Sequence, residues 1–256
     1  MKFIKNTFIL ISSFVLFVFL WDFVCCFFYL DNIFFPNPQL IFSYWKEGFF
    51  SDAFLYKAIG VSLQRLSIGY FISVFLGLVL GALCYYCYFF QLTLGKIALG
   101  FQTLPSICWV PLTLLWFGQT DNSIVFVVVM GSLWCILLGV CRSLQQIPEL
   151  FIKAAKTMGA HGTSLFFTVI IPASLPSLVT TFKQGWAFAW RSLLSAEIYI
   201  SAVDGLGLGQ LLHYGREMQA MDQVLGIILI LLAIGLFVEY GLFIPFEKWI
   251  RKNYGQ

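Results

Sequence analysis

The chain has 256 residues, 60% of them hydrophobic and 19% aromatic, with only 11% charged and a mean hydropathy of +0.89. Soluble domains carry about a quarter charged residues, so this composition cannot cover a water-facing surface; it excludes a separate soluble domain and describes an all-α polytopic membrane protein. The formal net charge of +3 is small and the basic residues are scattered at segment ends, which excludes a nucleic-acid surface and points to membrane topology.

Lys2 and Lys5 precede an apolar run at about 7–29 in which Asp22 is the only charge. The run is long enough to span, and Trp21-Asp22-Phe23-Val24 offers no small-residue cleavage site, so it is expected to stay as a first transmembrane helix with a cytoplasmic N-terminus. Residues 30–60 gather Asp31, Glu47 and Asp52 with Lys46 and Lys57 around Pro36-Asn37-Pro38, which reads as an outside loop with a short surface helix. A second span is expected at 61–86. Along it Arg65, Gly69, Ser73, Gly77 and Gly81 recur every four residues, a helix-packing face on which small residues let two backbones approach. The spacing leaves open whether the partner helix belongs to the same chain or to a second copy. The chain is expected to return around Lys96, to cross again at 97–117 with interruptions at Pro105 and Pro111, and to cross a fourth time at 123–140, ending at Cys141-Arg142.

The polar interruption at 142–175 carries most of the information. Pro148 suits the first turn of a helix, Glu149 suits its positive end, and Glu149 and Lys153 are spaced for a weak i,i+4 pair. Leu150, Phe151, Ala154, Ala155 and Met158 then share one side, with Lys153, Lys156 and Thr157 on the other, and Gly159 is the natural left-handed residue after the C-terminus. Thr163 or Ser164 is placed to cap a second helical piece running to Pro172. The small side chains of Ala154 and Ala155 suit a surface that lies close against another body, so a docking element is expected here. The alternative is an amphipathic helix resting on the membrane surface.

A fifth span is expected at 176–200, an outside loop at 201–222 containing Gly205, Gly207 and Gly209, and a last span at 224–246, after which Lys248, Arg251 and Lys252 hold the C-terminus in the cytoplasm. Ionisable residues at membrane depth are expensive and usually face a cavity or a partner. Arg191, Glu197 and Glu239, with Arg65, Trp109 and Trp190, are therefore the translocation-pathway candidates, an ion pair of Arg191 with Glu239 or Glu197 being the structural alternative. Lys183, near the inner end of the fifth span, and Trp186 belong to the same stretch. Both termini inside places Lys2, Lys5, Lys96, Arg142, Lys153, Lys156, Lys248, Arg251 and Lys252 in the cytoplasm against Lys46, Lys57, Arg65 and Arg216 outside, in agreement with six spans.

No G-x-x-x-x-G-K-[ST] loop is present, so the chain has no standard cradle for nucleotide phosphates, and the GLGLG stretch lacks a dinucleotide context. Only His161 and His213 supply imidazole, and neither zinc nor hydrolytic motifs occur, so no metal site and no catalytic residues are expected. The seven cysteines are expected to pack as small hydrophobes, with Cys84 and Cys87 forming a C-x-x-C pair that no second pair or His cluster accompanies.

Lys153, Ala154, Ala155, three residues, Gly159, nine residues, Val169, one residue, Ile171, Pro172 resembles the EAA signature of permease subunits of ATP-binding-cassette importers. Val169 and Ile171 are conservative departures, whereas Lys153 stands where the family has Glu and reverses a charge. Trp109, Pro111 and Leu112 followed by Trp116, Phe117 and Gly118, together with PNP, SLQRLSIGY and Gly205-Leu206-Gly207, resemble the nitrate, sulfonate and taurine branch of that family. The resemblance implies a type I importer permease fold of six transmembrane helices in one domain, 1–256, with a cytoplasmic coupling helix between the fourth and fifth. It implies an ATPase-coupling interface at Glu149, Lys153, Ala154, Ala155, Lys156, Gly159, Ala160, His161 and Pro172. It further implies separate ATPase subunits that carry ATP and Mg, with no cofactor on this chain, a second permease copy, a periplasmic or lipid-anchored solute-binding protein, and a place in the bacterial inner membrane. The alternative from another class is an ion-coupled secondary carrier built on Glu197, Arg191 and Glu239, which would show inverted repeats; no convincing repeat is visible.

Overall fold

A computed structural model describes residues 21, 36–202 and 205–254. The expected first span at 7–29 lies, apart from Trp21, outside the described residues. Helix α1, Pro38–Lys46, has proline in its first turn, where a missing N–H is harmless, and leads through a π turn at Glu47–Ser51 into α2, Phe54–Tyr86. It is the surface helix expected in 30–60, and it lies against a later span, with Trp45 Nε1 donating to Gly226 O at 3.1 Å. Helix α2 starts ahead of the expected 61 because Lys57 sits exposed on its first turns instead of in a loop.

The chain turns at Cys87, a single extended residue, and α3 runs Tyr88–Thr103. The return expected around Lys96 is therefore misplaced. Lys96 lies within α3 with its side chain exposed, and lysine is a good helix former whose stem lies along apolar surface. A 3₁₀ turn, Ser106–Trp109, leads into α4, Val110–Phe117, and the two halves bend by 103°. Pro105 stands at this break as expected. Pro111 interrupts nothing, since it occupies the first turn of α4.

Then come α5, Asp121–Gln145; α6, Glu149–Thr157; α7, Gly162–Leu165; α8, Ile171–Tyr199; α9, Leu208–Glu217; α10, Met221–Val238; and α11, Ile244–Tyr254. Helix α9 occupies 10 residues of the stretch expected as an outside loop at 201–222. A π turn at Phe166–Ile170 joins α7 to α8, and another at Glu239–Phe243 joins α10 to α11. Each ends immediately before an Ile-Pro pair, Ile171-Pro172 and Ile244-Pro245. Proline within a helix lacks an N–H and crowds the carbonyl one turn back; a wide turn just ahead of it relieves both demands. The helix expected to stop at Pro172 consequently continues as one rod, Gly162–Tyr199, with Pro176 inside it. Neither Thr163 nor Ser164 caps it, because α7 begins directly after His161.

Among the described residues four rods are long and apolar enough to cross a membrane, Phe54–Tyr86, Asp121–Gln145, Gly162–Tyr199 and Met221–Asn253, and α3 with α4 makes a broken fifth. Helix α5 is the central rod, packed between α2 and α8. The row Gly69, Ser73, Gly77 and Gly81 is buried, and a Cβ on Gly77 would sit 2.6 Å from Ile136 Cγ2. The partner of that row is thus α5 of the same chain. Ser132 Oγ donates to Ser73 Oγ at 2.8 Å within the contact, a polar link where lipid offers none. The bundle has two ends: a loop end, where α5 gives way to α6, and a far end, where α2 begins and α8 finishes beneath α9.

Candidate functional site

At the loop end, Pro148 is extended (φ −58°, ψ 129°) and its carbonyl accepts from Phe151 N at 3.0 Å, so it stands just outside α6 and not in its first turn. The C-terminus of α6 closes as a Schellman motif: Gly159, at φ +92°, donates to Lys156 O at 3.1 Å, and Ala160 N donates to Ala155 O at 3.0 Å. This gives the Ala-x-x-x-Gly spacing a physical reason, because the glycine must fall at the left-handed position after the last turn. Ala155 is buried and Ala160 half-buried in the same cluster with Ile147, Leu165 and Ile170, the apolar contact that accompanies the motif.

Ile152 packs half-buried against the same cluster, and the other apolar side chains here face outward. Leu150, Phe151 and Met158 are 72%, 51% and 82% exposed, and Ala154 is exposed as well, so the single apolar face expected from the spacing is divided between core and surface. Lys153 Nζ meets Glu149 Oε2 at 2.7 Å, both side chains largely in solvent, where such a pair contributes roughly 0.3–0.5 kcal/mol. Lys156 is exposed; so is His161, whose Nδ1 lies 2.9 Å from Gly159 O. Pro172 stands apart from these residues, at the start of α8. A cavity of about 400 Å³, lined by Ser143, Pro148, Phe151, Thr168, Pro172 and Ser177 among others, separates the ends of α5 and α8 beside α6.

At the far end the chain builds a buried ion cluster. Arg65 of α2 donates through Nη1 to Glu197 Oε1 at 3.0 Å, through Nε and Nη2 to Asp121 Oδ1 at 2.9 and 2.6 Å, and through Nη2 to Gly205 O at 2.9 Å. Glu197 also accepts from Ser62 Oγ at 2.8 Å and from Gly209 N at 2.9 Å, and Leu208 N donates to Ser62 Oγ at 2.8 Å. Gln210 ties the start of α9 to the end of α8 through Ile200 O at 2.8 Å. Arg65 and Glu197 are 2% and 0% exposed. A Cβ at Gly207 would overlap Glu197 Oε1, which accounts for glycine there. A buried pair is tolerated only when its remaining hydrogen-bonding positions are filled, as they are here.

This geometry corrects three pathway expectations. Arg65 and Glu197 are turned onto each other. Arg191 pairs with neither Glu197 nor Glu239; Glu239, at the π turn, is paired with Lys183 of α8. Glu197, Arg191 and Glu239 therefore do not converge on one coupling site. Trp109 and Trp190 pack partly buried against the core cluster of Leu66, Val127 and Leu193, Trp109 with its ring 5.5 Å from that of Phe101. Arg191 lines a cavity, and Trp186 lines two others. Cys84 is buried and Cys87 exposed, both free, and no group of metal-ligating side chains occurs among the described residues. Ser62, Asp121, Gly209 and Gln210 were not expected as site residues; the one local signal was Ser62 and Arg65 sharing a helix face near a span's end.

Comparison with known proteins matches residues 69–244 to the family described as binding-protein-dependent transport system inner membrane component. A putative ABC transporter permease protein of Methanocaldococcus jannaschii is 31% identical over 182 residues, 71% of this chain and 67% of its own length. The taurine transport system permease protein TauC of Escherichia coli is 26% identical over 218 residues, 83% of this chain and 78% of its own. Among solved structures, the inward-facing MetNI methionine ABC transporter superposes with a TM-score of 0.66 at 19% identity, covering 78% of this chain and 97% of that one, a likeness of fold.

Proposed function

The chain belongs to the binding-protein-dependent transport system inner membrane component family, the permease subunits of ATP-binding-cassette importers in which ATP hydrolysis lies in a separate subunit, and from that premise we propose how this permease is driven. The whole chain acts as one transmembrane domain, two copies stand side by side, and each offers α6 to an ATPase subunit that alone carries ATP and Mg. The loop end and both termini face the cytoplasm, and a solute-binding protein delivers its cargo at the far end. Basic residues support that orientation: with Lys96 inside α3 and Arg65 buried, Arg142, Lys153, Lys156, Lys248, Arg251 and Lys252 still outweigh Lys46, Lys57 and Arg216. The solute is small and polar, of the nitrate, sulfonate or taurine kind, as the taurine permease among the relatives suggests.

One observation carries the docking proposal. Helix α6 is seated on the bundle through Ile152, Ala155 and Ala160, with Gly159 closing its C-terminus, while Leu150, Phe151, Ala154 and Met158 remain open to a partner. A helix seated on one side and uncovered on the other transmits a push from its partner into α5 and α8, the two rods it connects. Gly159→Val tests this, because a β-branched residue resists φ +92°. The expected result is normal membrane insertion and abolished ATP-driven uptake in vesicles holding the permease, its ATPase and its binding protein. Uptake at the level of the unaltered protein would overturn the docking role of α6.

A further inference from the structure

Helix α8 carries Lys183, Arg191 and Glu197 at membrane depth, and it is Arg191 that has no counter-ion among the described residues. Its Nε donates to Ala187 O at 3.0 Å and its guanidinium carbon lies 4.7 Å from the centre of the Phe188 ring, contacts that hold the side chain and leave its charge uncompensated. Both terminal nitrogens are without a hydrogen-bond partner among the described residues. They stand at a cavity of about 280 Å³, several times the ~30 Å³ that one liquid water occupies. The cavity sits where the break between α3 and α4 meets α5 and α8.

The walls match the charge. Gln102, Thr103, Ser106 and Ser192 line the cavity with Arg191, and among the described residues no carboxylate does. The Gln102 amide and the Ser106 hydroxyl have no partner among the described residues, so both have protons to give. Gly131 lets α5 and α8 approach beside it, since a Cβ there would overlap Ser192 Oγ. Tyr199 ends α8 eight residues beyond Arg191, about 12 Å at 1.5 Å per residue, so the cavity is set well below the helix end where lipid headgroups lie. Arg191 is exposed, and a guanidinium at that depth with no carboxylate on it among the described residues is expensive unless water or an anion meets it.

We propose that this cavity is an anion subsite, in which Arg191 takes the oxygens of a small soluble oxyanion of the carboxylate, sulfonate or nitrate class and Gln102 and Ser106 add neutral donors. The planar guanidinium fits two oxygens at once, a match that lysine cannot reproduce. The subsite deepens the importer proposal by naming the chemistry of the solute along the route; anion binding itself is measurable without transport.

The test uses the full-length protein in nanodiscs of phosphatidylcholine alone, at constant ionic strength, with phenylglyoxal modification of Arg191 and of exposed Arg216 followed by mass spectrometry. Saturating nitrate, methanesulfonate or taurine is expected to slow modification of Arg191 by about threefold or more and to leave Arg216 unchanged. Gln102→Ala with Ser106→Ala should weaken the protecting anion by about tenfold, the loss expected for hydrogen bonds to a charged ligand. Absence of protection by all three anions overturns the subsite, as does protection seen only when phosphatidylglycerol is added to the nanodiscs, which would make Arg191 a lipid contact. Binding-protein-stimulated ATP hydrolysis by the assembled Arg191→Gln complex separates the two proposals. Hydrolysis that persists while no anion protects Arg191 leaves the importer standing and removes the subsite.

Discussion

At the far end of the bundle, α2, α5, α8 and the start of α9 meet through Arg65, Asp121, Glu197, Ser62 and the Gly209 amide. At the loop end α5 and α8, with α6 between them, line a cavity of about 400 Å³; α8 is entered through a π turn, and α6 exposes most of its apolar side chains. Directional charged contacts hold one end in a single arrangement; shared apolar contacts and a wide helical turn leave the other end adjustable. If α6 docks a partner as proposed, moving it would shift the loop ends of α5 and α8 relative to the far end, as a lever does.

The comparison can be broken most forcefully at the far end. Glu197→Ala leaves Arg65 buried without its main partner and is expected to destabilise the protein by about 3–5 kcal/mol, read as a fall in the thermal midpoint in detergent. Replacing both residues, Arg65→Met with Glu197→Leu, should recover most of that loss, because two apolar side chains carry no desolvation penalty. If the single change is nearly neutral, the far end is not held by its charges. Phe151→Ser with Met158→Ser, on exposed positions of α6, should change stability by less than about 0.5 kcal/mol. Co-purification with the ATPase should nevertheless drop sharply, and undiminished co-purification would show that the exposed face of α6 is not the docking surface. The smallest effect belongs to Lys153→Glu, which exchanges a solvent-exposed i,i+4 pair with Glu149 for a like-charge contact at about 0.5 kcal/mol. Its thermal midpoint should stay put and its ATPase coupling should hold; complete loss of the complex would mean that the partner has adapted to lysine.

The two ends also differ in how far the amino-acid sequence discloses them. The docking loop is legible because its closure is local: the donor and acceptor of each Schellman hydrogen bond lie within five residues, so Ala155, Gly159 and Ala160 announce it by spacing alone. The row from Gly69 to Gly81 is legible for a similar reason, since a four-residue recurrence is a property of one helix. The far-end cluster joins Ser62 and Arg65 to Glu197 across 135 and 132 positions, and no periodicity encodes a meeting of that kind. Prolines and lysines misled in the same direction. Pro172 and Pro111 read as interruptions and Lys96 as a boundary, yet a π turn, a first-turn position and a solvent-reaching side chain accommodate each of them within helix.

The far-end cluster also sets the order in which the protein can be finished. Its members are contributed at positions 62–65, 121, 197 and 205–210, so a nascent chain must be translated through the start of α9 before Arg65 finds its full set of partners. Until then the guanidinium in α2 has Asp121 to meet and still lacks Glu197 and the Gly205 carbonyl, so the far end cannot close before α8 and the start of α9 are in place.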